Sequence, residues 1–530
     1  MNTKQLKSKI LDLAIHGKLV PQNPNDEPAS KLLEKIREEK QKLIAEKKIK
    51  ADKNDSYIFV GDDNRHYEKF ADGTMKDIED EIPFEVPKGW EWGHFKDICT
   101  VFGRIGFRGY TRDDLVNKGE GAVSLSPSNL INMKLNFEDC TYLSWYKYEE
   151  SPEIQLNIND IVVVKTGSSY GKAALVDILP EKTTLNPQLM VLKQLHCNSK
   201  YLCYLLNTQY MKKSFEDLVN GTAIPTFSQE KFGMKYFPLP PAKEQNVIVA
   251  KIEEIFAQID SLEKDKSDLQ STIKQAKSKI LDLAIHGKLV PQDSSDEPAY
   301  VLLERLRAEK EAKIKAGELK RNKNDSYIYK NTTDNCYYQK FVDGSETDIS
   351  DEIPFEIPDN WNWCNLGEIY SHTTGKALKK ENNKGTLRKY ITTSNLYWNC
   401  FDFTDVRTMY FTDDELEKCT IKKGDLVLCN GGDVGRAAIW KSEEDICYQN
   451  HVSRLRPKLS GINNSFYLYV IQINKEKGNL SGKGVGITSL SATDILNLKI
   501  PLPPLAEQKR IVEKIENAFA KLDQISEQLA

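Results

Sequence analysis

Two glycine-rich loops of the sequence combine positively charged side chains with aromatic rings, which is chemistry typical of nucleic-acid binding. The first, GRIGFRGYTR, spans residues 103–112, and the second, GKALKKENNKGTLRKY, spans residues 375–390 and is richer in lysine. Arginine forks pair with guanine edges or with phosphates, whereas lysines mostly neutralise phosphates. The candidate DNA-contacting residues of these loops are Arg104, Arg108, Tyr110, Arg112, Lys376, Lys379, Lys380, Arg388 and Lys389.

Further polar candidates lie in two pairs of matching segments. PSNL at 127–130 matches TSNL at 393–396, and the glycine-rich part of 159–175 matches that of 424–439. Asn129 and Asn395 either read adenine or cap the turn that follows. For any single residue, a solvated loop charge is an equal alternative; the matching positions favour DNA contact. The candidates are Ser128, Asn129, Lys165, Ser168, Ser169, Tyr170, Lys172, Ser394, Asn395, Asn430, Asp433 and Arg436.

Catalytic and metal-binding patterns are not found in the sequence. TGSSYGKAA resembles a phosphate-binding loop but is one residue short, and Ala173 stands where a magnesium-binding hydroxyl is needed. We therefore interpret it as a strand-turn-strand with close backbone packing. LNPQL at 185–189 is not a methyltransferase signature, and no S-adenosylmethionine loop is evident. The seven histidines show no metal-ligand spacing. We predict a chain without a catalytic site, a metal ion or a bound cofactor.

Length and composition describe a large globular protein. The 530 residues suffice for several domains, and their net charge of −4 neither demands nor excludes nucleic acid. DNA binding would need basic residues concentrated locally or supplied by a partner. The ten cysteines are scattered singly, which favours reduced thiols in the cytoplasm. No apolar run is long enough for a transmembrane helix, and the N-terminus is not a signal peptide.

The sequence is built from two copies of one plan. SKILDLAIHGKLVPQ occurs at 8–22 and again, unchanged, at 278–292. DEIPFEVPKGWEW at 80–92 returns as DEIPFEIPDNWNW, and FPLPPAKEQ at 237–245 returns as IPLPPLAEQ. Between these landmarks the copies diverge, with short β-branched runs and glycine-rich turns that predict small mixed α/β domains. Matching supports that carry divergent domains indicate one task performed on two different targets.

Long helices are predicted between and beside the divergent domains. Apolar residues recur in alternating steps of four and three from Ile248 to Leu283, which predicts a coiled-coil seam ended by His286 and a capping Gly287. The C-terminal tail and the N-terminus continue the same seam in phase, as two parts of one further helix. We therefore expect an α+β protein with a long antiparallel coiled coil and a circular, pseudo-twofold organisation.

The duplicated motifs resemble those of specificity subunits of Type I restriction-modification systems. The resemblance rests on PFE(V/I)P..W.W before each domain and PLPP..EQ..IV.KIE after it, and it spans nearly the whole chain. It implies two target recognition domains that each read half of a bipartite double-stranded DNA sequence. It also implies two methylation subunits docked on the helices, and restriction subunits that join them. S-adenosylmethionine, ATP and Mg²⁺ would be bound by those partner subunits.

The resemblance and the repeats together divide the chain into five regions. The predicted regions are a helical N-terminal region with the segment leading into the first domain (1–88), the first target recognition domain (89–241), the central helical region with the second leading segment (242–355), the second target recognition domain (356–504), and a C-terminal helix that pairs with the central helix (505–530). The sequence assigns no role to segments 51–85 and 321–356. The alternatives are a coiled-coil scaffold without DNA specificity and a self-contained DNA modification enzyme with degenerate motifs.

Overall fold

A computed structural model describes residues 2–49, 55–104, 109–219, 225–321, 325–378, 384–480 and 489–529. The chain folds into two compact units, residues 1–265 and 266–530. Both are mixed α/β structures, as the sequence predicts. All ten cysteines are free thiols. Within the described ranges, no helix is both long and apolar enough to cross a membrane.

The first unit begins and ends with helices that enclose several sheets. Its helices are α1 (Thr3–Ile15), α2 (Ala29–Ala45), α3 (Phe95–Ile98), α4 (Trp145–Glu149), α5 (Ser199–Leu206), α6 (Gln209–Glu216), α7 (Gln229–Gly233) and the first half of α8 (Ala242–Ile285). Its strands are β1 (Ser56–Val60), β2 (His66–Phe70), β3 (Met75–Asp77), β4 (Glu91–His94), β5 (Thr100–Gly103), β6 (Leu115–Val116), β7 (Gly121–Leu125), β8 (Leu130–Ile131), β9 (Lys134–Leu135), β10 (Thr141–Ser144), β11 (Ile161–Val164), β12 (Ala173–Leu175), β13 (Thr183–Leu185), β14 (Leu189–Lys193) and β15 (Tyr236–Leu239).

The second unit has a similar order of elements, with a single helix, α12, in the place of α5 and α6. Its helices are the second half of α8, α9 (Ala299–Lys315), α10 (Leu366–Ile369), α11 (Asp413–Lys418), α12 (Asn464–Glu476), α13 (Ala492–Leu496) and α14 (Leu505–Gln528). Its strands are β16 (Ser326–Lys330), β17 (Tyr337–Phe341), β18 (Glu346–Asp348), β19 (Asn362–Asn365), β20 (Tyr370–Thr374), β21 (Thr386–Ile391), β22 (Leu396–Tyr397), β23 (Cys400–Phe401), β24 (Arg407–Phe411), β25 (Thr420–Ile421), β26 (Leu426–Cys429), β27 (Ala437–Ile439), β28 (Ile446–Tyr448), β29 (Val452–Pro457) and β30 (Lys499–Leu502).

The central strand of each divergent domain is buried on both sides. In the first unit, the sheets have the strand orders β5-β14-β11-β12-β9-β8 and β13-β7-β10-β6. Side chains alternate along β11, so that Ile161 and Val163 pack with Phe215 of α6, while Val162 and Val164 pack with Leu125 of the second sheet. This double burial explains why the strand reads as an unbroken apolar run.

The second unit uses the same alternation in the sheets β20-β29-β26-β27 and β24-β21-β28-β25. Leu426 and Leu428 of β26 pack with Phe466 of α12, whereas Val427 and Cys429 pack with residues of the other sheet. The two sheets of each unit therefore hold the connecting turns at the ends of β11 and β26 in fixed positions.

The predicted central helix forms, as α8, and it ends as the sequence predicts. His286 follows its last residue, and Gly287 has φ +67°, the left-handed conformation of a helix cap. In the first unit α1 runs antiparallel to α8, since Lys7 pairs with Asp260 and Leu11 packs in one cluster with Ile248. In the second unit Lys277 of α8 pairs in the same way with Asp523 of α14.

The predicted seam of α8 is buried only towards its two ends. Ile252 and Ile273 are buried, but Leu262 and Leu269 are 66% and 39% exposed. The first residue of α1, Thr3, lies beside Glu263 of α8. Within the described residues, α1 therefore does not extend along the turns of α8 beyond this point. The prediction of continuous burial from Ile248 to Leu283 is therefore wrong for these middle turns.

Candidate nucleic-acid interface

A tight turn between β11 and β12 projects from the sheet of the first unit. The predicted strand-turn-strand is confirmed, because β11 and β12 pair antiparallel with Ile161 opposite Leu175. Gly167 and Gly171 adopt φ +109° and +81°. A Cβ on Gly171 would lie 2.5 Å from the ring of Phe215, so only glycine fits there. Backbone sterics thus account for the glycines that resemble a phosphate-binding loop.

Two other segments of the first unit join this turn through hydrogen bonds. Lys165 N–H donates to Gln188 O at 2.9 Å, and Phe227 N–H donates to Lys165 O at 3.2 Å. The hydroxyls of Thr166 and Thr226 lie 2.7 Å apart. The β11–β12 turn, the turn before β14 and the segment before α7 therefore form one surface, with Lys165 at its centre.

The second unit builds the same arrangement around Asn430. Its N–H donates to His451 O at 3.0 Å, and Leu490 N–H donates to Asn430 O at 2.9 Å. Gly431 forms an antiparallel bridge with Ser489, as Thr166 does with Thr226. Lys165 and Asn430 thus occupy equivalent backbone positions and carry different side chains.

Both central side chains retain unused hydrogen-bonding capacity. Lys165 is half-buried, and its ammonium has no ion-pair or hydrogen-bond partner in the part of the chain that the structure describes. Burial lowers the pKa of Lys165. Asn430 donates from Nδ2 to Asn450 O at 3.2 Å, but its buried Oδ1 has no partner among the described residues. A buried acceptor without a partner is unfavourable by about 1–3 kcal/mol, and a ligand donor would relieve that cost.

The PSN and TSN segments form matching 3-10 turns in the two units. Asn129 Oδ1 accepts from Ser126 N–H at 2.9 Å, and Asn395 Oδ1 accepts from Thr392 N–H at 2.9 Å. Both asparagines are buried and also donate to backbone carbonyls. Both side chains therefore cap the 3-10 turns that contain them, and not the turn that follows as the sequence suggested. Their neighbours Ser128 and Ser394 are exposed.

The arginine-rich loop of the first unit contains one supporting arginine and one exposed arginine. Arg104 is 4% exposed, and its Nε donates to Leu185 O at 3.1 Å. Its guanidinium lies 5.3 Å from the ring centroid of Tyr110, and burial lowers the pKa of Arg104. Arg112 is exposed at the start of a 3-10 turn. Arg108 lies outside the described residues.

The lysine-rich loop of the second unit shows the same division. Lys376 Nζ donates to Glu415 Oε2 at 2.6 Å and to Tyr410 O at 2.7 Å, which engages it inside the unit. Arg388 and Lys389 are exposed on β21. Lys379 and Lys380 lie outside the described residues.

The remaining candidates lie on the two equivalent turns. Arg436 donates to Thr393 O at 2.5 Å and lies over the ring of Tyr397, so it links the turn to the TSN segment. Asp433 forms an ion pair with Lys475 at 3.0 Å. The first-unit candidates on this turn include two exposed residues, Ser168 and Lys172, and two half-buried residues, Ser169 and Tyr170.

Sequence reasoning did not select Gln188 and His451, which flank the two central positions. Each supplies the carbonyl that accepts from Lys165 or Asn430, and His451 is exposed. A Cβ on Gly103 would meet both the side-chain amide of Gln229 and the ammonium of Lys165, which places Gln229 at the same surface. Gln188 lies in LNPQL, whose counterpart in the second copy is YQNHV, so the sequence showed that the two copies differ here but not that Gln188 lies beside Lys165.

The described residues contain no cluster of side chains that could hold a metal ion. Burial raises the pKa of Cys203 to about 12 and that of Cys429 to about 11. These thiols are therefore protonated at neutral pH and are poor nucleophiles. The prominent shared site of the two units is a polar loop surface with backbone geometry in common and side chains that differ.

Two equivalent polar surfaces on one duplicated α/β framework define a class of protein that recognises two related targets. The family model for the Type I restriction modification DNA specificity domain matches residues 87–271 and 358–530. The chain therefore belongs to the family of Type I restriction-modification specificity subunits, which are not the catalytic subunits of their complexes.

Relatives and solved structures agree with this assignment. The EcoAI specificity subunit of Escherichia coli is 27% identical and aligns over 97% of this chain and 88% of its own length. The EcoEI specificity subunit of Escherichia coli is 24% identical over 99% of this chain and 90% of its own length. A solved structure concerning assembly and conformational transition of the Type I restriction-modification system is similar in fold, with a TM-score of 0.50 at 15% identity. That similarity covers 84% of this chain and 94% of the other.

Proposed function

We propose that this specificity subunit recognises a bipartite sequence in duplex DNA, and that each unit reads one half-site in the major groove. The observation that supports this most is the equivalence of Lys165 and Asn430. The same backbone hydrogen bonds hold both residues, yet one presents an ammonium and the other an amide. Base edges in the major groove differ in their donors and acceptors, so different side chains at one position select different sequences.

The readers proposed for the first half-site are Lys165, Gln188, Gln229, Ser168 and Lys172, and those for the second are Asn430, His451, Ser394, Arg388 and Lys389. Arg112 contacts phosphates and fixes the register of the first unit on the duplex. Arg104, Asn129, Lys376 and Asn395 support these loops from inside, since their polar groups are engaged within the protein.

Two methylation subunits bind the chain in this proposal, and restriction subunits join the complex in the cytoplasm. S-adenosylmethionine, ATP and Mg²⁺ are bound by those partners and not by this chain. Equilibrium dialysis of the free chain against S-adenosylmethionine tests this assignment. Saturable binding at one or two sites would favour a self-contained modification enzyme instead.

A circular, pseudo-twofold organisation completes the proposal. The ion pair between Lys7 and Asp260 in the first unit is equivalent to the one between Lys277 and Asp523 in the second. In the first pair α8 supplies the aspartate, and in the second it supplies the lysine. This supports the idea that α1 and α14 together correspond to one copy of α8. A circular permutation tests this organisation. The permuted chain begins at Lys266, and a short linker joins residue 530 to residue 1. This chain should retain bipartite recognition. Loss of folding in that permutant, with a control linker tolerated elsewhere, would contradict the circular arrangement.

A domain exchange tests the central proposal. Residues 93–236 are replaced by the matching domain of a relative with a different target, and the modified DNA is sequenced to map methylated sites. One half of the recognition sequence should change, and the other half should stay the same. If both halves change, the units do not read independently; if neither changes, the chain is a scaffold without DNA specificity.

A further inference from the structure

Each unit carries a small three-stranded antiparallel sheet outside its divergent domain. The sheet β1-β2-β3 and its counterpart β16-β17-β18 occupy the segments to which the sequence assigned no role. One side of each sheet packs inward: Ile58 clusters with Ile78 and Trp92, and Ile328 clusters with Ile349 and Trp363. An ion pair of 2.7 Å joins Lys40 of α2 to Asp55, and Lys310 of α9 pairs with Asp325 at the same distance.

The opposite side of each sheet is an open aromatic face. Side chains alternate along a strand, so Tyr57 and Phe59 share this face with Tyr67, which lies directly opposite Phe59. The Phe59 ring centroid is 6.0 Å from that of Tyr57 and 5.8 Å from that of Tyr67. All three residues are half-buried. Arg37 of α2 lies over Tyr57, with its Cζ 4.3 Å from the ring centroid.

The second unit repeats this face. Tyr327, Tyr329 and Tyr338 form the same row, with centroid distances of 6.2 and 5.9 Å between neighbours. Arg307 of α9 lies over Tyr327, with its Cζ 4.2 Å from the ring centroid. We call the two surfaces the aromatic faces, defined by Tyr57, Phe59, Tyr67, Lys69, Met75 and Asp77 in the first unit and by Tyr327, Tyr329, Tyr338, Lys340, Glu346 and Asp348 in the second.

Open positions of this face agree between the two copies at least as well as the inward positions do. Tyr57, Tyr67, Lys69 and Asp77 have identical counterparts, Phe59 is replaced by the similar Tyr329, and only Met75 is replaced by a residue of different chemistry, Glu346. On the inward side, Glu68 is replaced by Gln339 and His66 by Tyr337. Surface positions without a role are expected to diverge faster than buried ones, because fewer contacts restrict them. The two aromatic faces therefore have a common role, unlike the DNA-reading turns.

The segments that contain the aromatic faces are strongly acidic. Residues 55–85 contain ten acidic and three basic side chains, and residues 325–356 contain eight acidic and two basic side chains. The rest of the chain then holds 69 basic and 60 acidic residues, although the whole chain has a net charge of −4. Negative charge is thus concentrated beside the aromatic faces.

This charge determines which occupant fits. Phosphates of nucleic acid would be repelled by a segment of this sign, and so would the same face of a second copy of this chain. A basic polypeptide surface fits instead, since arginine and lysine pair with carboxylates and also bind over tyrosine rings. Arg37 over Tyr57 already shows that these rings accept a guanidinium.

We propose that each aromatic face docks a basic surface of the methylation subunit, so that one copy of that subunit binds each unit. The identity of the partner rests on the proposed function, whereas the surface and its chemistry rest on the rings and charges described above. Identical docking faces beside divergent reading surfaces allow one partner protein to serve two different half-sites.

Charge reversal tests the docking face in the full-length chain. Asp77→Lys with Asp80→Lys alters the first unit, and Asp348→Lys with Asp351→Lys alters the second; all four side chains are exposed, and Asp77 and Asp348 lie on the faces themselves. The matched control is Glu149→Lys with Asp177→Lys, which makes the same charge change at exposed positions of the first divergent domain. Binding of the purified methylation subunit from the same system is measured by light scattering and by titration.

The wild-type chain and the control should bind two methylation subunits. Each reversal pair should weaken one of the two binding events at least tenfold, and the combined variant should lose both. Equal affinity of all variants, with wild-type binding intact, would overturn the docking proposal and leave the proposed function standing. A wild-type chain that binds no methylation subunit would overturn both.

Aromatic substitutions provide a second measurement that separates docking from folding. Phe59→Tyr copies the residue found at Tyr329 and should bind normally, whereas Phe59→Ser should lower the affinity of the first unit about tenfold while the melting temperature changes little. Normal binding by Phe59→Ser would show that the ring makes no contact with the partner and would overturn the aromatic part of the proposal.

Discussion

The indole N–H of Trp90 donates a buried hydrogen bond to Oε2 of Glu244 at 2.9 Å, and Trp361 makes the same bond to Glu507 at 2.9 Å. The second carboxylate oxygen of Glu244 accepts from Gln22 at 3.3 Å. One glutamate at the start of α8 therefore joins the segment after α1 to the segment before β4. The equivalent glutamate at the start of α14 does so in the second unit.

This junction explains why the stretch ending in Gln22 is repeated unchanged at Gln292. Gly17 has φ +64° after α1, and a Cβ there would overlap Pro87. Gln22 also donates to Gly17 O at 2.6 Å, so the helix end and the chain that follows form one hydrogen-bonded turn. Each residue has a partner in the junction, so a change at one position would disturb several others.

Replacement of Glu244 should reveal the strength of this junction. Glu244→Ala removes the acceptor of the Trp90 indole and should lower the unfolding free energy by about 1–3 kcal/mol, because a buried donor loses its partner. Glu244→Gln keeps an acceptor oxygen and should cost less. Denaturant unfolding of both variants, with the exposed Glu149→Gln as control, measures the difference.

The same glutamate should make stability depend on pH. Burial raises the pKa of Glu244 above its ordinary value of 4.5. The folded state therefore holds the proton more tightly, and the unfolding free energy falls as the pH rises from about 4.5 through the raised pKa. Glu244→Gln removes this contribution, so its stability relative to wild type should improve across that window. A constant difference from pH 4 to pH 8 would contradict the assignment.

Substitutions at the two central reading positions should act on one half-site each. Lys165→Ala should relax the base preference within the first half-site, and Asn430→Ala should do so within the second, by about 1–3 kcal/mol per contacted base. Sequencing of DNA modified by the reconstituted complex reports both halves at once. Equal loss across all sequences would show that the side chains contact phosphates instead.

Arg104 and Arg112 of the first loop should differ in the property that each one controls. Arg112→Gln should reduce the slope of log affinity against log salt by about one, since it removes one exposed phosphate contact. Arg104→Gln should leave that slope unchanged and lower the melting temperature, because Arg104 is buried and bound to Leu185 O. Measurements on the assembled complex with one DNA duplex separate the two effects.

Regular periodicity and steric requirements were predictable from the sequence. Helix α8, its cap at Gly287 and the β11–β12 turn follow from apolar spacing and from glycines that only one backbone conformation accommodates. The side-chain environments of the loops were not predictable. Lys376 and Glu415 are 39 residues apart in sequence, and their ion pair exists because the loop after β20 packs against the end of β24 and the start of α11.

The proposed DNA-reading residues were equally difficult to predict from the sequence. Gln188 meets Lys165 through a backbone hydrogen bond between two separate turns, and nothing in LNPQL indicates that proximity. Asn129 had two open interpretations in the sequence, and only the structure shows that its side chain is buried and bonded within its own turn. Local sequence therefore predicts which segments form turns, whereas tertiary contacts determine which of their side chains stay available.

The continuous helix α8 leads to a last prediction, about the spacer between the half-sites. It extends without a break from Ala242 to Ile285, and its two halves belong to the two units. Inserting one heptad after Lys266 keeps the phase of the apolar seam and lengthens the helix by about 10 Å. The preferred DNA spacer should then lengthen by about three base pairs, with both half-sites unchanged.

Inserting two residues turns the seam out of phase, and that variant should lose folding or assembly before any new spacer appears. Methylation-site sequencing distinguishes these results. A heptad variant that remains active with the original spacer would show that the length of α8 does not set the spacing.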